Sequence, residues 1–532
     1  MDSLNQSGVS FVKGVGFALK KLESSGETIK TTDAASALAV AYEAARNAVE
    51  FRSDHLIRQA AIVRILRRRL ILKEPSEKVA PLLLRELVWA RYMKDSSVPV
   101  SKIADIEDII DRYQIAFKTV QDETSQDKLV TKGDRDLKEW LLQLAGCEIE
   151  ESLVFNPYPQ LLINFVSESL QPRISITGVT NEKEKDIQVY IATERAFAKN
   201  SEIFIAYHLL KGVYPKWFKT APNDTKDVFN EFLEAKKEVD SDLSFPLKLE
   251  VKREVGKLSA PFNVIREMVI REPEKFIQTV ENREELKKET KDLLERLYEE
   301  NRGRSVRAST RSIIYIFLTK MVLGLALELP FDLFLGRTNF LALGINLLFP
   351  PSLMFLLNAK IHTPSEENTN QIIEKIDEYL YTEDVSKIIE VGKKKKAKSV
   401  IERVFSIIYL ILFIGVFVFI FWGLGRLHFN IVSQAIFIFF LCVVSFFAYR
   451  VRSISKDYIY QESKEGVISS TIDFLFLPII RVGSWLSSQI AKLNVLGFIF
   501  DFIIEAPLKA FLAVLEEWVH FVRAKKEEIF TE

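Results

Sequence analysis

Lys320, Glu328 and Asp332 stand eight and four residues apart in a stretch, SIIYIFLTKMVLGLALELPFDLFL, that is otherwise almost wholly apolar. Those spacings place the three charges near one face of a helix. A charge in hydrocarbon is costly, so such groups turn towards a protein interior or a wet cavity. There Glu328 and Asp332 would carry a proton or a cation, with Lys320 as counter-charge. A plainer reading is preferred. It ends the helix near Leu327, breaks it at Pro330, leaves both carboxylates among outer headgroups, and lets Lys320 snorkel or pair with a neighbouring helix. A second set, Asp501, Glu505 and Lys509, falls at i, i+4 and i+8, and Glu505–Lys509 has the favourable helix orientation. It would line a polar seam inside a bundle. The preferred alternative is the wet face of an interfacial amphipathic helix bent at Pro507. Asp473 and Arg481 are read in the same way.

Little else in the chain points to chemistry. His55, His208, His362, His428 and His520 are scattered and form no recognised metal-ligand spacing. Cys147 and Cys442 lie in parts of contrasting polarity, which argues against a disulfide framework. Gly14 and Gly16 lack the strand and the third glycine of a dinucleotide fingerprint. Ser453 and Lys456 match a Ser-x-x-Lys pattern without its companion motifs. Arg58, Arg64, Arg67, Arg68 and Arg69 form a basic stretch that could hold phosphate. It has no interleaved aromatics for reading nucleic acid, and a solvated, ion-paired face is the preferred account. No catalytic residue, cofactor or metal site is expected, and no nucleic-acid partner.

The elements that must position these residues fall into two contrasting halves. Residues 404–424 are 21 consecutive residues without a charge, and 431–449 repeat the pattern. At about 1.5 Å per residue, each run is long enough as a helix to cross a hydrocarbon core of roughly 30 Å. Residues 312–335 and 340–357 form a less clean pair, since Pro350 and Pro351 should kink or end the second helix. Four spans are expected. Residues 471–486 and 493–515 add further spans, re-entrant pieces or interfacial helices. Trp422, Trp485 and Trp518 suit headgroup anchoring.

Basic residues near span ends favour the cytoplasmic side. Arg302, Arg304, Arg307 and Arg311 precede the first apolar region. Lys393, Lys394, Lys395, Lys396, Lys398 and Arg403 precede the strongest span, and Arg450, Arg452 and Lys456 follow its mate. The short loops between mates hold only Arg337, Arg426 and His428. One arrangement satisfies all three clusters: the N-terminal half inside, spans paired as hairpins, and loop 359–402 inside. Lys393 to Lys396 would then contact anionic headgroups. The first residues show no signal-peptide pattern, so the polar half is not expected to be exported.

The chain has 532 residues, with 72 basic and 72 acidic side chains, so no net field selects a partner. In residues 34–73, Leu38, Tyr42, Ala45, Val49, Leu56, Val63, Leu66 and Leu70 follow a 3.5-residue seam, predicting one long helix or two in line. Residues 79–93 predict a second. Ile103, Ile106, Ile110, Tyr113, Phe117 and Val120 predict a third, and Leu137, Trp140, Leu141 and Leu144 a fourth. Such faces bury one another in a helical bundle. Beyond residue 150, Ile174 and Ile176, then Ile187, Val189 and Ile191, then Ile203, Ile205 and Tyr207, then Leu247, Leu249 and Val251 alternate with other residues and predict short strands. Residues 223–235 predict a helix between them. Residues 273–300 predict a charged helical stalk, started by Pro273 and hinged at Gly303. Further helix is expected in 365–390.

The expected fold is therefore mainly α: a cytoplasmic helical bundle plus a small α+β unit, followed by an α-helical polytopic membrane domain. Its parts are an N-terminal segment (1–33), the bundle (34–149), the α+β unit (150–255), the stalk (256–311), a first membrane hairpin (312–358), a cytoplasmic loop (359–402), a second hairpin (403–450) and an amphipathic or embedded tail (451–532). The expected role is a non-enzymatic anchor or scaffold of the cytoplasmic membrane, touching anionic lipid and binding a protein partner through its N-terminal half. The alternative is a transporter or channel component for protons or small ions, regulated by that half. A membrane-bound enzyme acting on lipid or peptide is the third class.

Overall fold

Seams that recur every three to four residues bury one stripe of a helix against another, and the described helices that share the core of the first unit follow that rule. The computed structural model describes residues 4–21, 54–71, 75–93, 99, 101–122, 132–154, 156–323, 330, 340–358, 364–383, 388–392, 400–460 and 467–493. These are 86% helix and 2% strand, so the chain is mainly α. They divide into two compact units, the first over 6–256 with 388–391 and the second over the rest.

The first unit opens with α1 (Gln6–Lys21), α2 (Asp54–Ile71), α3 (Ser76–Trp89), α4 (Lys102–Asp122) and α5 (Lys132–Leu153). Ile62 and Leu66 of α2, Leu83 and Leu87 of α3, Ile106, Ile110 and Tyr113 of α4, and Leu141 and Leu144 of α5 share one core. Ile103 and Phe117, the remaining members of the α4 seam apart from buried Val120, pack against it. The portion of the first seam in residues 34–53 lies outside the described residues.

The expected α+β region is corrected. After α6 (Tyr158–Leu170), only the first alternating pair forms a strand, β1 (Ile174–Ile176). It lies parallel to β2 (Ile389–Val391), with Ile174 opposite Ile389 and Ile176 opposite Val391. The other three alternating runs are helical: α7 (Glu182–Thr193), α8 (Glu202–Val213) and α10 (Lys248–Lys257). The residues expected to form a helix do so, as α9 (Thr225–Leu243). The physical reason is arithmetic. An i, i+2, i+4 triple always contains an i, i+4 pair, which is a helical contact. In α8, Phe204, Ala206 and Leu210 are buried beside Ile205 and Tyr207, so the apolar face is wider than alternation allows. Asn181 caps α7 by accepting from the Lys183 N–H at 3.0 Å.

In the second unit come α11 (Ser259–Arg271), α12 (Pro273–Thr279), α13 (Arg283–Leu323), α14 (Phe340–Asn358) and α15 (Glu366–Tyr381). Then follow α16 (Val400–Arg426), α17 (Ile431–Ile454) and α18 (Val467–Leu493). Pro273 does start a helix, at its first turn. Gly303 is not a hinge. α13 runs through it for 41 residues, about 60 Å. Nor is the charged part a bare stalk, since Leu286, Leu293, Leu294 and Leu297 are buried. Tyr298 on α13 is tied to α15, its hydroxyl accepting from Asn368 Nδ2 at 3.0 Å. Asn368 also donates to the Tyr458 carbonyl at 2.9 Å and accepts from the Tyr460 N–H at 2.8 Å. The chain leaving α17 is thereby fastened to the polar helices. Pro350 and Pro351 do not end α14, which continues to Asn358.

Two described helices are long and apolar enough to cross a bilayer, Val404–Arg426 and Ile431–Tyr449; Gly344–Leu356 and Phe474–Ser487 are shorter. The expected count of four spans therefore reduces to two that meet the length criterion among the described residues. The two are joined by a tight turn. Phe429 N–H donates to the Leu424 carbonyl at 3.1 Å and His428 N–H to that of Gly425 at 3.0 Å. His428 has φ of 60°, the left-handed position of a Schellman cap. Asn430 Oδ1 then caps α17 by accepting from the Ser433 N–H at 2.7 Å. α17 and α18 meet closely: a Cβ at Gly483 would overlap the Cys442 carbonyl oxygen and lie 2.9 Å from Phe446 Cβ.

Candidate functional site

Lys320 is the one described member of the two charged triplets expected from sequence, and Arg481, read in the same way, is exposed on α18. Lys320 sits in the last turn of α13 and is 1% exposed. Its Nζ lies 4.7 Å from the centre of the Phe440 ring on α17. The ring's negative face offsets part of the cost of taking the ammonium from water. Lys320 thus faces a neighbouring helix inside the unit and does not reach out to headgroups. Glu328, Asp332, Asp501, Glu505, Lys509 and Lys393 to Lys396 lie outside the described residues, as does Trp518.

The basic stretch of α2 is engaged internally. Arg58 pairs with Glu150 at 2.7 Å, Arg67 with Glu139, and Arg68 and Arg69 with Glu86 at 2.5 and 2.9 Å. Glu86 is buried. These guanidiniums fasten α2 to α3 and α5.

A polar cluster that residue spacing did not reveal surrounds Glu194. Its side chain is 0% exposed and lies in a π-helical turn (Glu194–Ala198) between α7 and α8. Such turns redirect side chains and recur at functional sites. Tyr190 donates to Glu194 Oε1 at 2.9 Å, His208 Nδ1 approaches the same oxygen at 2.6 Å, and Asn200 Nδ2 donates to Oε2. Asn200 in turn accepts through Oδ1 from His55 Nε2 at 2.8 Å. Burial and the Glu194 charge hold the Tyr190 phenol far above its ordinary range, so it remains a donor. Both carboxylate oxygens are occupied by these donors. The arrangement therefore ties α2, α7, α8 and the π turn together; among the described residues no group of three metal-ligand types accompanies it. His55 and Asn200 are 145 residues apart, so no local pattern signals them.

Burial lowers the His55 pKa below its ordinary 6.5, with the Asn200 bond opposing. A base depressed in the fold contributes stability that is complete above its unfolded pKa and is lost as pH falls below it. Acidification from about pH 7 to about pH 5 should therefore weaken the first unit. His55→Gln, which retains a donor for Asn200, should flatten that dependence. Denaturant unfolding at both pH values checks this, and an unchanged slope in the variant would remove His55 as the cause.

A second buried set joins α4, α5 and the turn before α9. Arg112 pairs with Glu148, and Tyr113 donates to Glu148 Oε2 at 3.0 Å. Arg112 also donates to the Thr220 carbonyl at 3.1 Å. Trp217, fully buried, donates to the Tyr113 hydroxyl at 3.4 Å and stacks on Phe232 at 4.0 Å between ring centres. Burial raises the Glu148 pKa while Arg112 pulls it down. Chemically, the two polar sets hold helices in register and present no activated nucleophile. Comparison of the chain with family models, with curated proteins and with solved structures finds no match.

Proposed function

We propose that the chain is a multi-pass protein of the cytoplasmic membrane, a non-enzymatic anchor or scaffold whose N-terminal unit lies in the cytoplasm and binds a protein partner. The observation that carries the membrane part is α16. None of its most apolar window is buried, against 44% for its mate. Eleven large apolar side chains of α16 are exposed, among them Phe405, Ile411, Ile414, Phe419 and Trp422. Removing one such side chain from water is worth about 1.5–3 kcal/mol. Discounted by half for partial contact, the sum still rivals the about 5–15 kcal/mol that stabilises a whole domain. Hydrocarbon is the solvent that relieves this cost. The basic clusters at 302–311, 393–403 and 450–456 support the orientation. The polar sets of the first unit, which tie helix to helix, favour a scaffold over an enzyme.

The protein should remain with the membrane pellet through an alkaline carbonate wash. A cysteine placed at His428 should react with a membrane-impermeant maleimide added outside sealed cells, and one at Asp457 only after lysis. Release by carbonate alone would end the membrane reading, and the reverse labelling would invert the topology. The transporter alternative draws on one observation, the ammonium of Lys320 held inside the second unit. Ion flux in liposomes that vanishes with Glu328→Gln and Asp332→Asn would favour it over the scaffold.

A further inference from the structure

α16 and α18 leave between them a groove of about 580 Å³. Its surface is predominantly apolar. Leu410, Phe413 and Val482 are apolar, while Ser406, Tyr409 and Arg481 bring polar atoms. We propose that this groove binds an anionic glycerophospholipid of the bilayer, its phosphate on Arg481 and an acyl chain along Leu410, Phe413 and Val482.

The inference rests on the membrane reading above and adds to it a specific lipid site. Arg481 is exposed, and no carboxylate among the described residues pairs with it. A guanidinium cannot shed its charge, and beside hydrocarbon it needs an anion. Phosphate meets its planar fork with two parallel hydrogen bonds. One lining residue, Ser406, lies two residues beyond Val404, where the apolar run of α16 begins. Tyr409 packs on Phe474 of α18 with ring centres 6.1 Å apart, holding the two helices together beside the groove. Trp485 flanks it with an amphipathic ring. The volume falls in the range of small-ligand sites, roughly 300–1,000 Å³, too small for a protein segment of several turns. A free phosphate would satisfy Arg481 but leave the three apolar residues without a partner. An amphiphile with a negative head satisfies both.

The test uses the full chain in nanodiscs containing equal phosphatidylglycerol and phosphatidylcholine, ejected for native mass spectrometry. The wild type should retain phosphatidylglycerol in preference to phosphatidylcholine. Arg481→Gln should reduce that preference about tenfold, the scale of a charge-assisted hydrogen bond, and Arg481→Lys should keep part of it. Leu410→Trp, which fills the groove and leaves the guanidinium in place, should also lose the lipid. Continued protection of the buried Cys442 thiol shows that each variant is folded. Equal retention of the two lipids by the wild type, or unchanged preference in Arg481→Gln, would overturn the proposal. Displacement of the lipid by millimolar inorganic phosphate alone would overturn it in favour of a simple anion site. Failure to enter nanodiscs would instead count against the membrane reading itself.

Discussion

Glu148→Ala is expected to destabilise the first unit by about 3–5 kcal/mol, the usual consequence of stranding one member of a buried ion pair. Arg112 would keep its charge, lose its carboxylate, and retain the Thr220 carbonyl at 3.1 Å and the faces of Tyr113 and Trp217. Tyr113 would lose its acceptor at the same time. Such a loss is a large part of the stability of an ordinary domain. The adjacent Cys147 thiol, buried in the folded chain, gives the readout. Its rate of modification in mild denaturant should rise by orders of magnitude. Replacing both partners, Arg112→Met with Glu148→Leu, should cost much less, because no unpaired charge then remains inside. Equal damage from the single and double substitutions would mean that packing, and not charge, holds α4 to α5.

Gly483→Leu is expected to prise α18 from α17. Even a Cβ at this position would overlap the Cys442 carbonyl oxygen, and that oxygen is backbone, which cannot swing aside. Overpacking of a well-packed site costs about 1–3 kcal/mol when side chains can adjust, and here they cannot. Close approach at small residues is how helices associate in lipid, where apolar burial alone gives no drive. The Cys442 thiol, buried at that contact, should become reactive towards maleimide in detergent. Gly483→Ala should show the same change to a smaller degree. A protected Cys442 in the leucine variant would mean that the helices pack elsewhere.

The strongest periodic segments were legible in the sequence. The α4 seam from Ile103 to Val120 became one helix with those residues against one core, and the two uncharged runs became α16 and α17. Where apolar residues were sparse, period two and period 3.6 could not be told apart, and Ile187, Val189 and Ile191 entered a helix. Gly303 does not interrupt α13, and Pro350 and Pro351 do not end α14. α13 and α14 pack on each other and on α17, and such tertiary packing overrides local propensity. The buried polar sets were not legible, because they join distant positions: Arg112 and Glu148 are 36 residues apart, His55 and Asn200 145. Their members carry no local signature before the helices are assembled. Arg481 was noticed as a charge in an apolar stretch. Its place opposite Tyr409 and Phe413 required the packing of α16 and α18.

α13 has a mechanical consequence. Its first half is clamped by α15 through Tyr298, while its final turn holds Lys320 against Phe440. A continuous α-helix is stiff along its axis, and sharp bends need a local defect. A pull or twist applied near Arg283 has no joint in which to dissipate. It either strains the Tyr298–Asn368 clamp or shifts the ammonium some tens of ångströms away, as in a push-rod.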